Sequence, residues 1–219
     1  MALNWLLPQY QQNLLRVLFE NPSTPLHISE LARRARIDSG NAQRYLKEFA
    51  RHDLVKLNKT SKMTFVSPNF SNPEIAKIFE FFEVDRCQSF LKTNQTYCQI
   101  LSALTNALVS TIDSIQMVAL FGSCTQIDRT GKPVFGSSID LAIVVTNGFN
   151  SNHLKKRVEK IIREHGLPLN ISPSIIKTKD FEAEWKNCST FCCDLWRERI
   201  ILYGEWYLWN QVARQGVPK

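Results

Sequence analysis

The sequence predicts an α+β protein: a small helical unit closed by a β-hairpin, a helical connector, then a small mixed-sheet unit with flanking helices. Three observations carry that reading. Residues 10–67 pass through three amphipathic helical patterns and end in two alternating segments around a polar turn, Asn58-Lys59-Thr60-Ser61-Lys62. Residues 74–111 keep apolar side chains close to helical spacing for longer than one ordinary helix. Beyond them lie two apolar runs, Met117-Val118-Ala119-Leu120-Phe121 and Ile139-Asp140-Leu141-Ala142-Ile143-Val144-Val145. Both are short enough to be strands buried on both faces, and the second is rich in β-branched residues. The boundaries fall at 1–67, 68–94 and 95–219, the first break marked by the polar, proline-bounded stretch from Pro68 to Pro73.

Composition narrows the class. A chain of 219 residues holds one large domain or two small ones, each with an interior of its own. The net charge of +7 favours polyanionic partners, the alternative being a solubilising surface. No apolar run approaches the ~20 residues of a membrane span. The start, Met1-Ala2-Leu3-Asn4-Trp5-Leu6-Leu7-Pro8, has neither the basic region nor the cleavage site of a secretory signal. The expectation is a cytoplasmic protein without a membrane partner. The six cysteines form no Cys-x-x-Cys pair, so reduced buried thiols are expected over a zinc site from Cys188, Cys192 and Cys193.

Taken in order, residues 13–20 place Leu14, Leu15, Val17, Leu18 and Phe19 at helical spacing, with an end at Asn21-Pro22. Residues 26–35 form a second helix facing inward through Ile28, Leu31, Ala32 and Ala35. Asp38 and Ser39 can cap the third, residues 40–50. Its apolar face is Ala42, Tyr45 or Leu46, and Phe49; its other face presents Asn41, Gln43, Arg44 and Lys47. The alternation of residues 53–57 and 63–66 gives the hairpin. The polar window Lys92-Thr93-Asn94-Gln95 breaks the long helical stretch in two, and its apolar stripe serves as core or as a homodimer seam.

The first apolar run after that ends in Gly122-Ser123, a turn at which backbone N–H groups and a small hydroxyl can approach an anion. The second carries one carboxylate, Asp140, where the chain enters the sheet. Residues 128–136 between them are a basic spacer, folded over a nucleotide or running as a surface loop. Residues 151–166 form an amphipathic helix with Lys155, Lys156, Arg157, Lys160 and Arg163 outward and Gly166 as its C-cap. Residues 167–176 give a third strand, helices follow from Lys179 and Phe191, and residues 200–209 read as a final strand and turn.

Two resemblances follow from these residues. The order helix, helix, helix, hairpin, with Ile28-Ser29-Glu30-Leu31-Ala32 and Tyr45-Leu46-Lys47-Glu48-Phe49, resembles the winged-helix family over residues 10–67. It implies double-stranded DNA as partner. Gln43 and Arg44, flanked by Asn41 and Lys47, would meet base edges, and Arg33, Arg34, Arg51, Lys59 and Lys62 would meet phosphates. The alternative is a protein-docking module with a solvated basic face. Over residues 95–210, Phe121-Gly122-Ser123 and Ser138-Ile139-Asp140-Leu141 resemble minimal members of the nucleotidyltransferase superfamily that includes DNA polymerase beta. In that family an Asp-x-Asp pair and a third carboxylate from a later strand hold Mg²⁺ on the nucleotide phosphates.

That second resemblance implies phosphate binding at Gly122 and Ser123, a catalytic metal ligand in Asp140, and Mg²⁺ with a nucleoside triphosphate as cofactors. The sequence departs from the pattern. Ser138 stands at the first Asp, Cys124-Thr125-Gln126 replace the usual small and basic residues, and residues 169–176 carry no carboxylate. Two readings therefore stay open: a DNA-binding regulator whose transferase-like domain is impaired and binds a nucleotide at most, or an active Mg²⁺-dependent transferase moving a nucleotide onto a protein or nucleic acid. A structural dimerisation module is the third.

Overall fold

The computed structural model describes residues 7–60, 63–93, 95–126, 138–148, 151–165 and 169–218. The architecture is α+β, and the chain divides into two compact units: residues through Phe82 with Val212–Gly216, and Glu83–Gln211 with the last residues. The division falls inside the stretch read as a connector, at the middle of one helix. Among the described residues no helix is long and apolar enough to cross a membrane.

In the first unit, α1 spans Gln9–Glu20 and starts earlier than its apolar pattern does. The extra turn is polar in sequence, yet Gln12 is buried and donates to the Leu7 carbonyl at 2.6 Å, while the Pro8 carbonyl accepts from the Gln11 and Gln12 N–H groups. Leu26–His27 is a short strand, β1, rather than the first turn of a helix; α2 runs Ile28–Ala35. His27 caps it by accepting from the Ser29 N–H through Nδ1. At the other end Arg36 is left-handed (φ 57°, ψ 49°), and the Ile37 N–H returns to the Ala32 carbonyl at 3.0 Å. Helix α3, Ser39–Arg51, is capped by Asp38, whose Oδ1 accepts from the Asn41 N–H at 2.9 Å.

Strands β2 (Val55–Thr60) and β3 (Met63–Pro68) pair antiparallel, from Val55 opposite Pro68 to Thr60 opposite Met63. The expected polar turn is thus mostly strand: Asn58, Lys59 and Thr60 pair across it, leaving Ser61 and Lys62 to connect, outside the described residues. β1 pairs on the far edge of β3, giving the order β1-β3-β2. Helix α4, Pro73–Lys92, brings Phe79 and Phe82 against Phe19, with ring centroids at 5.7 and 5.6 Å in edge-to-face geometry. Such pairs add about 0.5–1.5 kcal/mol each beyond their buried area.

The second unit is built on β4 (Ile115–Phe121), β5 (Ile139–Val145), β6 (Ile171–Lys177) and β7 (Ile200–Tyr203) in the order β6-β5-β4-β7. β4 runs antiparallel to both neighbours, while β5 and β6 are parallel. The parallel pair is joined through α6, Ser151–His165. One face of the sheet, through Val118, Leu120, Leu141 and Ile143, packs on Leu101, Leu104 and Leu108 of α5 (Gln95–Thr111) and on Leu154, Val158 and Ile161 of α6. Helices α7 (Thr178–Lys186) and α8 (Thr190–Glu198) pack on the other side. The expected break between α4 and α5 falls at residues 93–94.

A buried ion pair sits in this unit. Glu83 accepts from Arg199 Nη2 at 3.1 Å, and Arg86 lies 3.4 Å from its other oxygen. The Arg199 guanidinium stacks 3.6 Å over the Trp196 ring, and burial pulls its pKa down to about 10.

Residues 200–209 begin with the expected strand, but a helix takes the place of the turn. β7 stops at Tyr203, and Glu205–Gln215 is a helix, α9, whose Tyr207 N–H returns to the Gly204 carbonyl at 3.0 Å. Gly204 has φ +81°, and a methyl there would lie 2.0 Å from the Gln116 carbonyl oxygen. Gly204→Ala is therefore expected to destabilise the protein by about 2 kcal/mol or more, read as a lower denaturant midpoint at unchanged m-value.

Candidate functional site

The second unit brings Gly122 and Asp140 together. Phe121, the last residue of β4, pairs with Asp140 across the antiparallel ladder. The chain then turns through a short 3₁₀ segment, Gly122–Thr125, with Gly122 at φ +78°. A methyl on Gly122 would lie 2.7 Å from Asp140 Oδ2, so the carboxylate rests against bare backbone. The segment is tied internally: Thr125 Oγ1 donates to the Gly122 carbonyl at 2.9 Å, and the Gln126 N–H to the Ser123 carbonyl at 3.1 Å. Ser123 is exposed at its surface. Cys124 is buried, its thiol donating to the Phe121 carbonyl; burial pushes its pKa up to about 11, so it is no nucleophile near neutral pH.

Ser138, two residues before Asp140, is half-buried, and Ser172 stands beside Asp140 in the parallel β5–β6 register. Pairing puts Ser172 on the same sheet face as Asp140, as the two-residue spacing does for Ser138 where extended backbone continues. The carboxylate therefore has a hydroxyl-bearing neighbour across the β5–β6 pairing. Among the described residues, no three His, Cys, Asp or Glu side chains converge to hold a metal. Asp128 lies outside the described residues. Asp180 opens α7 and lines a cleft of about 600 Å³ with Ser174, Ile176, Glu184 and Phe191. The Phe191 ring meets Phe121 edge-on at 5.4 Å.

In the first unit, α3 buries Ala42, Leu46 and Phe49 and leaves Asn41, Gln43, Arg44 and Lys47 exposed, as its pattern requires. The exposed side chains differ in what they are free to do. Asn41 is committed locally, its amide donating to Asp38 Oδ2. Its backbone N–H, then its amide, hold the Asp38 carboxyl below the usual range. The Arg44 guanidinium lies 4.9 Å from the Tyr45 ring and donates to its hydroxyl at 3.2 Å. Gln43, Lys47 and Arg51 follow at intervals of four along the exposed face, and no hydrogen bond or ion pair ties their side chains among the described residues.

Arg33 and Arg34 share one carboxylate. Arg33 grips Glu30 through Nε and Nη2 at 2.8 and 2.7 Å, and Arg34 Nε reaches it at 2.6 Å. These hydrogen bonds lower the Glu30 pKa to about 2. Two cations against one anion leave a surplus of one positive charge there. Lys59 is exposed on β2, and Lys62 lies outside the described residues. Arg36 and Tyr10, which the sequence did not single out, join Asn41 and Arg44 around a concavity of about 330 Å³. Only the folded α2–α3 turn and the early start of α1 bring them there.

The seat of Asp140 on Gly122 is open to a double-mutant cycle. Gly122→Ala is expected to cost more than the 1–2 kcal/mol of left-handed strain, and less once Asp140→Ala removes the clashing oxygen, a coupling of about 0.5–2 kcal/mol by chemical denaturation. No protein-family model, curated protein or solved structure matches this chain.

Proposed function

We propose that this chain is a double-stranded-DNA-binding protein, a transcriptional regulator, with a winged-helix first unit and a nucleotidyltransferase-like second unit of impaired catalytic capacity. The observation that carries the reading is the exposed, unpaired stripe Gln43, Lys47 and Arg51 on α3, set in the order α1-β1-α2-α3-β2-β3 with sheet order β1-β3-β2. Helix α3 would enter the major groove. Arg33, Arg34 and Lys59 would meet phosphates, and Gln43 the base edges.

The second unit supports a nucleotide-binding remnant better than a transferase. Asp140 at the Gly122-Ser123 turn is where phosphates and a metal would meet, but its register partner is Ser172, and Ser138 stands where the family's first Asp would be. Hydroxyls are weak substitutes for the hard anionic oxygens Mg²⁺ prefers, and two-metal phosphoryl transfer relies on several of them. The residues described here therefore do not fit a catalytic Mg²⁺–triphosphate pair. The active-transferase reading keeps one support, the close pairing of Gly122 with Asp140.

Fluorescence anisotropy on a labelled duplex tests the first half. Lys47→Ala and Arg51→Ala are each expected to weaken binding several-fold and to lower the salt slope by about one unit, while Gln43→Ala changes the preference among sequences. A wild-type protein that fails to bind duplex at low salt would end the DNA reading. For the second half, calorimetry with ATP should show no Mg²⁺-dependent gain and no pyrophosphate release. The double substitution Ser138→Asp with Ser172→Asp should add Mg²⁺ binding by placing three carboxylates on one face.

A further inference from the structure

We propose that the concavity between α1 and the α2–α3 turn is a phosphate-ester site, built from Tyr10, Arg36, Arg44 and Tyr45. Where the phosphate belongs to a duplex backbone, the proposal rests on the DNA-binding reading of the first unit. The space is about 330 Å³, enough for a phosphate with its attached sugar and at the low end of small-ligand sites. Two guanidiniums and two phenols line it. Arg36 is exposed and has no ion pair among the described residues. Arg44 is laid over the Tyr45 ring at 4.9 Å with Nη2 on its hydroxyl, which fixes the plane of a fork able to bind two phosphate oxygens.

Tyr10 is 57% exposed and lines the space, so its ring is open to a ligand there. Its ring supplies an apolar wall for a sugar, and its hydroxyl a donor for an oxyanion. Asp38 also borders the space, but both its oxygens already accept from Asn41, and two guanidiniums outnumber it. This assignment changes the role of Arg44. On its own helix pattern it reads as a base-edge contact; stacked on Tyr45 at the rim of this concavity, it holds a phosphate and so positions the helix whose Gln43 and Lys47 face outward.

The test separates folding from binding at Arg36. That residue is left-handed, the conformation glycine tolerates best, so Arg36→Gly removes the charge and leaves the thermal midpoint no lower than wild type. Binding of the full chain is measured in two arms: a labelled mixed-sequence duplex across a salt series, and AMP by calorimetry at low salt. With a duplex phosphate, Arg36→Gly and Arg44→Gln each weaken all duplex sequences by a similar factor of several-fold and lower the salt slope by about one unit. Arg44→Lys recovers part of that loss. Loss confined to AMP identifies a free nucleotide as the ligand and keeps the site. If the double variant Arg36→Gly with Arg44→Gln matches wild type in both arms, or wild type binds neither probe, the site assignment is overturned. If the duplex responds to Lys47→Ala alone and AMP binding is the same in the Arg36 and Arg44 variants as in wild type, the assignment falls and the DNA reading stands.

Discussion

Strand β4 is hydrogen-bonded along both edges and buried along most of its length, and that double demand organises the second unit. Its neighbours β5 and β7 approach so closely that side chains are excluded where the chain leaves or crosses it. At one end Gly204 lies against the Gln116 carbonyl; at the other, Gly122 lies under the Asp140 carboxylate. The same packing that closes the sheet therefore creates its polar corner. A carboxylate held over a side-chain-free turn is a by-product of strand pairing, available for chemistry only if its surroundings supply further charge. Here Ser138 and Ser172 supply hydroxyls instead.

The first unit solves a different problem. Its helices bury one stripe each and leave a basic surface whose charges are unequally free. Arg33 and Arg34 spend part of their charge on Glu30, and Arg44 is folded onto Tyr45. Surface ion pairs of this kind contribute little to stability, so their main effect is to hold long side chains in place. Lys47 and Arg51, by contrast, have no ion pair or side-chain hydrogen bond among the described residues and stand exposed on the helix face. Fixed forks suit a phosphate of defined position, whereas free side chains suit a groove whose edges vary with sequence.

Much of this was legible in the amino-acid order. Helices α2, α3 and α6, the two strands β4 and β5, the break between α4 and α5 and the Asp38 cap follow from periodicity and end signals. What escaped depends on distant partners. Leu26 and His27 look like the start of a helix and become strand because β3 needs a partner on its free edge. Asn58 to Thr60 look like a turn because they are polar, yet cross-strand pairing extends β2 through them. The aromatic residues after Gly204 read as part of a final strand and turn, although Tyr207, Leu208 and Val212 keep helical spacing. At the sites, Gly122 with Asp140 was visible as a motif. The place of Ser172 beside Asp140 emerges only from the register of β6, and that of Arg36 beside Arg44 only from the folded turn.

The pair of Glu83 with Arg199 has a consequence for how the second unit can be cut. Glu83 has no exposed surface, and its nearest counter-charges are Arg199 and the more accessible Arg86. A fragment that begins with α4 and ends before residue 199 keeps the carboxylate but loses the guanidinium clasped between it and Trp196. Left with Arg86 alone, the buried carboxylate has lost its more deeply buried partner, and breaking such a pair costs about 3–5 kcal/mol, a large part of the margin by which a domain of this size stays folded. The junction of the last strand with the helix before it is thus bound electrically to the residue at which the unit begins.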